Sequence, residues 1–219
     1  MMTMKPPRAG MNRTSLALAT AVFAASALLA GCAGSSAPTA YFTLQPVAPT
    51  VAVPYAGPPV QVLAVHLPAA LDRVELLRET APGRFEVDDF ARWAGPPGRI
   101  ARQALTEDLV NRLPPGAVVF PDAVKPINAL GVTVDILSLR SSGGSTQSDI
   151  SWTWRPTDPA TLARGPAASL RTVRLSTPAG DGSPAATAQA LGALLGQVAD
   201  RIAADLAAMP PMPAAVPVR

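Results

Sequence analysis

The sequence is poor in the residues on which catalysis, metal binding and covalent cross-linking depend. Its 219 residues contain one cysteine and one histidine, and only 5% of them are aromatic. A single cysteine excludes an intramolecular disulfide, so the fold must be stable without covalent cross-links. The lone histidine, His66, lies in an apolar stretch just before Pro68. That setting is more typical of the end of a strand than of a catalytic base.

Charged residues are also scarce, at 15% of the chain, and the excess of basic over acidic side chains is confined to the N-terminal segment. The chain has 18 basic and 15 acidic side chains, but Lys5, Arg8 and Arg13 precede the first long apolar run. Without these three, the rest of the chain has 15 basic and 15 acidic side chains and is formally neutral. A neutral remainder argues against nucleic acid as a partner, because such binding needs a basic patch in the folded part.

The N-terminal segment has the parts of a secretory leader. The basic residues are followed by an apolar run over residues 16–30, which is shorter than the roughly 20 residues that a transmembrane helix needs. Leu28-Leu29-Ala30-Gly31 then leads directly into Cys32 and resembles a bacterial lipobox. This resemblance implies cleavage before Cys32, diacylglycerol on its sulfur and acylation of the new amino group. The alternative is an ordinary signal peptide or a short membrane anchor with an incidental cysteine.

Composition divides the chain into four parts. Residues 1–31 are the predicted lipoprotein signal peptide, and residues 32–59, which contain six prolines, are predicted to form a lipid-anchored tether. Within the tether, residues 41–44 are aromatic and β-prone, so we expect them to dock on the domain as an edge strand. Residues 60–208 are the predicted single domain, and residues 209–219 a disordered tail.

The periodicity of the domain predicts strands and two helices. Apolar residues recur at helical spacing from Ile100 to Leu113 and from Leu191 to Leu206, and Arg112 falls outside the apolar face of the first helix. Strands are predicted at residues 60–67, 74–80, 84–90, 118–120, 131–140, 149–155 and 169–176. Because strands and helices do not alternate strictly, the pattern favours an α+β fold, a two-layer domain with a mainly antiparallel sheet covered by two helices.

Several short motifs follow the lipobox in a fixed order. They are Tyr41-Phe42-Thr43-Leu44, Val62 to Leu67 before Pro68, Leu71-Asp72-Arg73, Arg78, and Trp93-Ala94 before a helix that contains Leu105 and Leu109. In this order they resemble the PqiC-like family of ABC-type transport auxiliary lipoproteins. The connection Gly95-Pro96-Pro97-Gly98 departs from the more polar or acidic one expected after the tryptophan in that family.

The resemblance implies a non-enzymatic lipoprotein on the periplasmic face of the outer membrane. Its partner would be an MCE-domain periplasmic protein of a lipid-transport system, whose membrane-distal end it would dock. The resemblance implies no cofactor, only the covalent lipid on Cys32. Ala33 replaces the aspartate that retains some lipoproteins at the inner membrane, which agrees with an outer-membrane location. Several copies around one tubular partner would form a homo-oligomeric ring.

Three polar residues after the first predicted strand are candidates for a structural or partner-binding motif. In the simpler interpretation, Asp72 lies in a turn and caps backbone donors with its carboxylate. In the other, Arg73 and Arg78 pair with carboxylates and fix the segment after that strand. The sequence leaves both interpretations open.

The three tryptophans are the remaining candidates. Trp93 fits a packing anchor between the predicted hairpin and helix, or a hot spot that faces a partner. Trp152 and Trp154 alternate with polar residues and so share one face of their strand. That face is either part of the core or a surface for docking or lipid contact.

Two other functions compete with the auxiliary lipoprotein. One is a lipid-binding chaperone that carries its cargo in an internal pocket, and the other is a cell-envelope hydrolase that uses His66. No Gly-x-Ser-x-Gly motif accompanies the histidine, and Gly143-Gly144-Ser145 is not followed by the lysine of a phosphate loop. The acidic group at Glu86, Asp88 and Asp89 fits a solvated loop better than a metal site.

Overall fold

Eight strands and two helices follow one another in the part of the chain that the computed structural model describes, residues 37–49, 52–81, 83–124, 126, 128–142, 144–157 and 169–209. The strands are β1 (Ala40–Phe42), β2 (Val60–His66), β3 (Glu75–Ala81), β4 (Arg84–Trp93), β5 (Val118–Val119), β6 (Leu130–Ser142), β7 (Ser145–Pro156) and β8 (Ser169–Pro178). The helices are α1 (Pro97–Val110) and α2 (Pro184–Ala207). Cys32, the leader and residues 210–219 lie outside the described residues.

The strands form two sheets rather than the one that the sequence predicts. The larger sheet has the order β5-β2-β6-β7-β8, and the smaller has the order β1-β4-β3. The long pairings β6–β7, β7–β8 and β3–β4 are antiparallel, whereas β2 runs parallel to β5 and β6, and β1 runs parallel to β4. The two-layer α+β class with a mainly antiparallel pattern is therefore confirmed.

The split into two sheets follows from the way in which β2 ends. Pro68 follows this strand, and its carbonyl accepts hydrogen bonds from the backbone N–H of Leu71 and of Asp72, at 2.7 and 3.1 Å. This turn redirects the chain, so the β3–β4 hairpin forms away from β2 and pairs with β1 instead. Sequence periodicity reports which residues form strands, but not which strands pair with each other.

The main core lies between the larger sheet and the two helices. Val132, Val134 and Ile136 of β6 stand opposite Trp154, Trp152 and Ile150 of β7, and all six side chains are buried. The apolar stripe of α2 adds further buried side chains, among them Leu194, Leu195, Val198 and Ile202. Each fully buried aliphatic side chain contributes about 1.5–3 kcal/mol of transfer free energy, so this layer contributes strongly to the stability of the fold.

Helix α1 begins at Pro97, within the connection Gly95-Pro96-Pro97-Gly98. Pro97 occupies the first turn, where its fixed φ and missing N–H are tolerated. A Cβ atom on Gly98 would lie 3.0 Å from the carbonyl oxygen of Val65. The glycine therefore lets the start of α1 approach the backbone of β2 closely, which places the helix on the sheet.

Candidate functional site

A strap of chain, residues 44–47, runs from β1 across helix α2. Leu44 is buried in the core. A Cβ atom on Gly192 would lie 3.6 Å from the Gln45 carbonyl oxygen, and one on Gly196 would lie 2.8 Å from Cβ of Val47. Two glycines one helical turn apart thus leave the space in which the strap lies.

A buried arginine fastens this strap to both helices. The Arg112 guanidinium donates hydrogen bonds to Asp200 Oδ1 at 2.6 Å, to the Val47 carbonyl at 3.1 Å and to the Gly196 carbonyl at 3.1 Å. It also donates to the Asp108 carbonyl at 2.9 Å and contacts Asp108 Oδ1 at 3.4 Å. In return, the Val47 N–H donates to Asp108 Oδ1 at 2.7 Å. We call these four residues, Val47, Asp108, Arg112 and Asp200, the arginine cluster.

The arginine cluster corrects one expectation from the sequence. Arg112 was expected outside the apolar face of its helix, but its side chain is completely buried. Helical periodicity missed it because its acceptors come from Asp108, four residues earlier, and from residues 65 and 88 positions away in the sequence. The Asp108-x-x-x-Arg112 spacing next to Leu109 and Leu113 was the available signal.

Burial has a clear electrostatic effect on Asp108. It raises the pKa of this carboxyl from 3.8 to about 6, although the hydrogen bond from Val47 and the charge of Arg112 both act to lower it. Because the pKa is higher in the folded state, the stability linked to this carboxyl is fully present below the unfolded pKa and is lost as the pH rises through about 6. At neutral pH Asp108 is mostly charged and depends on Arg112 for compensation.

The three polar candidates lie in the connection after β2 and in the hairpin. Asp72 is exposed in the turn that follows Pro68. Arg73 donates from Nε to Glu75 Oε2 at 3.0 Å, and this hydrogen bond is the main cause of the lowered pKa of Glu75. Arg78 stands opposite Glu86 in the β3–β4 ladder, and its side chain lies outside the described part of the structure. The structure therefore does not bring Asp72 and Arg73 together with the arginine cluster.

The three tryptophans are buried. Trp93 is the last residue of β4, and its backbone N–H donates to the Val74 carbonyl at 2.7 Å. Trp152 and Trp154 lie on the face of β7 that belongs to the core. The guanidinium carbon of Arg171 lies 5.9 Å from the ring centroid of Trp154, within the range of a cation–π interaction.

His66 lies at the exposed end of β2, opposite Asp135 of β6. Its Nδ1 is 2.7 Å from Asp135 Oδ1, so the two side chains form a pair between the adjacent strands β2 and β6. Within the described ranges, no group of three or more His, Cys, Asp and Glu side chains could hold a metal ion. Neither helix of the described part is both long and apolar enough to cross a membrane.

The smaller sheet carries exposed apolar side chains, of which Tyr41 belongs to a motif noted above and those of β4 were not candidates from the sequence. Tyr41 of β1 and Phe85, Val87 and Phe90 of β4 are between 38% and 66% exposed. We call these four residues the hairpin surface. Exposed apolar groups in one region of a protein mark contact surfaces more often than single scattered ones do. Strand periodicity suggests which residues form the hairpin, but exposure depends on what covers the sheet.

Comparison with solved structures defines the class of fold. A crystal structure of an uncharacterized protein is 16% identical and covers 78% of this chain and 99% of its own, with a TM-score of 0.56. A crystal structure of a protein from Xanthomonas campestris is also 16% identical and covers 74% of this chain and 92% of its own, with a TM-score of 0.54. At this identity the likeness concerns the fold alone. No curated protein matches the chain at a significant level.

The family follows from the sequence. The family model described as ABC-type transport auxiliary lipoprotein component matches residues 42–203. This chain belongs to that family, and the resemblance that its motifs indicated is confirmed. The match extends from the end of β1 into α2, so it includes the strap, the arginine cluster and the β3–β4 hairpin.

Proposed function

We propose that this protein is the non-enzymatic outer-membrane lipoprotein of an MCE-type ABC lipid-transport system. Its acylated Cys32 holds it on the periplasmic face of that membrane, and its domain docks the membrane-distal end of an MCE-domain periplasmic protein. The family match over residues 42–203, directly behind a lipobox, carries this proposal. The proposal assigns no chemical reaction to the chain.

The link between anchor and domain is short. Ala40 already pairs with Ala91 in the smaller sheet, so seven residues, 33–39, separate Cys32 from the first strand. A fully extended chain advances at most about 3.3–3.6 Å per residue, so Cys32 lies within about 28 Å of Ala40. The prolines that follow Ala40 do not lengthen this link, because the chain from β1 to residue 47 contacts the domain.

The strap suits a protein held by its N-terminal end. A pull on the anchor acts first on β1, which pairs with β4, and then on the strap, which is bonded to Arg112 and Asp108. These contacts transmit the load into both helices rather than into a loose loop. The strap therefore stays docked on the domain when the anchor is under load.

Confinement to a membrane also permits a weak docking surface. Two proteins held in the same narrow compartment meet at a high effective concentration, so a modest intrinsic affinity suffices for assembly. The alternative, a chaperone that carries lipid alone, would need a cavity in the core. Instead, completely buried side chains occupy the layer between sheet and helices, including Val62, Leu105, Leu109 and Leu194.

Purification of a tagged copy from detergent-solubilised envelopes tests the proposal. We expect an MCE-domain protein, a permease and an ATPase to be recovered with the tagged protein and to be absent from an untagged control strain. A Cys32→Ser variant should recover much less of the partner, because the unanchored domain loses the effect of confinement. Recovery of abundant tagged lipoprotein without any MCE-domain protein would contradict the proposal.

A further inference from the structure

The hairpin surface lies on one face of the smaller sheet, which it shares with Glu75, Glu79 and Arg92. Residues directly opposite each other in a sheet share a face, and alternate residues of one strand do so too. Val87 stands opposite Leu77, and Phe85 stands opposite Glu79. Arg92 stands opposite both Tyr41 of β1 and Glu75 of β3. Because residues 75, 77 and 79 alternate along β3, the side chains of Tyr41, Phe85 and Val87 share a face, and the buried Leu76 belongs to the other.

The four side chains of the hairpin surface are largely exposed to solvent. Tyr41 is 66% exposed, Phe90 46%, Val87 45% and Phe85 38%. Phe90 precedes Ala91, which is buried, so the aromatic ring lies on the uncovered side of β4. Three aromatic rings and a valine in one small sheet are more typical of a contact surface than of a solvated one.

The direction of β1 relates this face to the anchor. β1 and β4 are parallel, and Ala40 stands opposite Ala91, so Arg84 at the start of β4 lies toward the end at which the chain enters β1. Ala81, opposite Arg84, and Glu75, opposite Arg92, are six residues apart on β3, which is about 20 Å at the rise of an extended strand. The seven residues between Cys32 and Ala40 allow a separation of at most about 28 Å between these two residues. The hairpin tip is thus within reach of the lipid surface that the anchor occupies.

The charge of the hairpin restricts the kind of surface that it can contact. Residues 75–93 contain five acidic and three basic side chains, so the hairpin carries a net negative charge. Negatively charged segments are repelled by anionic lipids, which attract polybasic segments instead. The contact therefore depends on apolar area and fits a zwitterionic lipid surface, with aromatic rings at the level of the headgroups.

From these observations we infer that the β3–β4 hairpin is a membrane-contact element, whose hairpin surface rests in the interface of a zwitterionic bilayer beside the lipid anchor. The inference rests on the proposed acylation of Cys32 and adds an orientation to it. The smaller sheet faces the membrane, and the surfaces away from it are left for the periplasmic partner. A single acyl anchor point does not fix orientation, so this second contact would keep the domain from tumbling on its tether.

Single-cysteine labelling of the lipidated protein tests this inference. Acylation blocks the sulfur of Cys32, so Phe85→Cys or Val87→Cys introduces one free thiol, to which a polarity-sensitive fluorophore is attached. Leu170→Cys is the matched control, because Leu170 is 66% exposed but lies on β8 of the larger sheet. The proteins are reconstituted into vesicles of phosphatidylethanolamine and phosphatidylcholine with a fraction of bromine-labelled acyl chains, and vesicle flotation is measured in the same samples.

We expect bromine quenching to be several-fold stronger at positions 85 and 87 than at position 170. The difference should persist when ionic strength rises from about 0.1 M to about 1 M, which shortens the screening length from about 10 Å to about 3 Å. Equal quenching at all three positions in protein that floats would overturn the inference while leaving the anchor intact. Labels at 85 and 87 that are shielded only after an MCE-domain protein is added would overturn it in favour of protein docking. If the lipidated protein failed to float with the vesicles, the acylation of Cys32 would be contradicted, and so would both proposals.

Discussion

Replacement of Arg112 by leucine is expected to lower the free energy of unfolding by about 3–5 kcal/mol, the range observed when one partner of a buried ion pair is removed. The leucine leaves the carboxylate of Asp108 buried without its cation and leaves the Val47 and Gly196 carbonyls without their donor. Because these acceptors belong to the strap and to both helices, one substitution weakens three connections at once. Denaturant unfolding followed by circular dichroism measures the effect, provided that the m-value stays constant.

Arg174→Leu is the matched control for this substitution. Arg174 also donates to a carboxylate, with its Nε 2.7 Å from Asp149 Oδ1, but its side chain is 74% exposed. An exposed pair of this kind contributes about 0–1 kcal/mol, so the loss should be small. Adding Asp108→Asn to Arg112→Leu should recover part of the lost stability, because it removes the uncompensated charge. Equal losses at positions 112 and 174 would show that the arginine cluster does not hold the fold together.

Opposite effects are expected from the same substitution at two glycines of α2. Gly196→Ala places a Cβ atom 2.8 Å from Cβ of Val47, which forces the strap or the helix to shift. Overpacking of this kind costs about 1–3 kcal/mol. Gly192→Ala places its Cβ no closer than 3.6 Å from the Gln45 carbonyl oxygen, an ordinary contact. There the higher helix propensity of alanine should stabilise the protein by up to about 1 kcal/mol.

The two glycine variants are compared by their unfolding midpoints under the same conditions. Both change the backbone entropy and helix propensity of α2 in the same way, so the difference between them isolates the contact with the strap. A Gly196→Ala variant as stable as Gly192→Ala would mean that the strap does not lie against α2 at Val47. Destabilisation of both to the same extent would point to the helix packing rather than to the strap.

Local pattern was sufficient for the secondary structure and for the class of fold. The alternation of Val132, Val134, Trp152 and Trp154 predicted strands, and the structure has these strands as β6 and β7. Helix α2 starts at Pro184, directly after Ser183, whose hydroxyl accepts a hydrogen bond from the Ala186 N–H as an N-cap. These features depend on neighbours in sequence, which is why sequence alone predicts them.

Features that depend on distant residues were not predictable in the same way. The arginine cluster joins Val47, Arg112 and Asp200, which no periodicity connects. Arginine is almost never fully buried unless it is paired, so a charged residue beside a helix end is read by default as solvated. Two glycines four residues apart within α2 were the one local sign of a close approach, because glycine in a helix interior costs stability unless it serves packing.

The hairpin surface illustrates a different limit. The alternation of Phe85 and Val87 indicates one apolar face of a strand, and a face of that kind is normally assigned to the core. In the structure the buried face of the smaller sheet is the one with Leu76 and Trp93, and the other face is uncovered. Between the pairs Leu77–Val87 and Glu75–Arg92, β4 advances five residues while β3 advances two, and pattern alone does not reveal such an irregularity in the register.

The proposed function requires that the chain begin, after processing, at an acylated Cys32 that seven residues separate from β1. Intact mass spectrometry of the protein extracted from bacterial envelopes tests this most directly. We predict a mature chain that starts at Cys32 and carries the added mass of a diacylglycerol thioether and an N-linked acyl group. A chain that retains residues 1–31, or a Cys32 with an unmodified sulfur, would contradict the account.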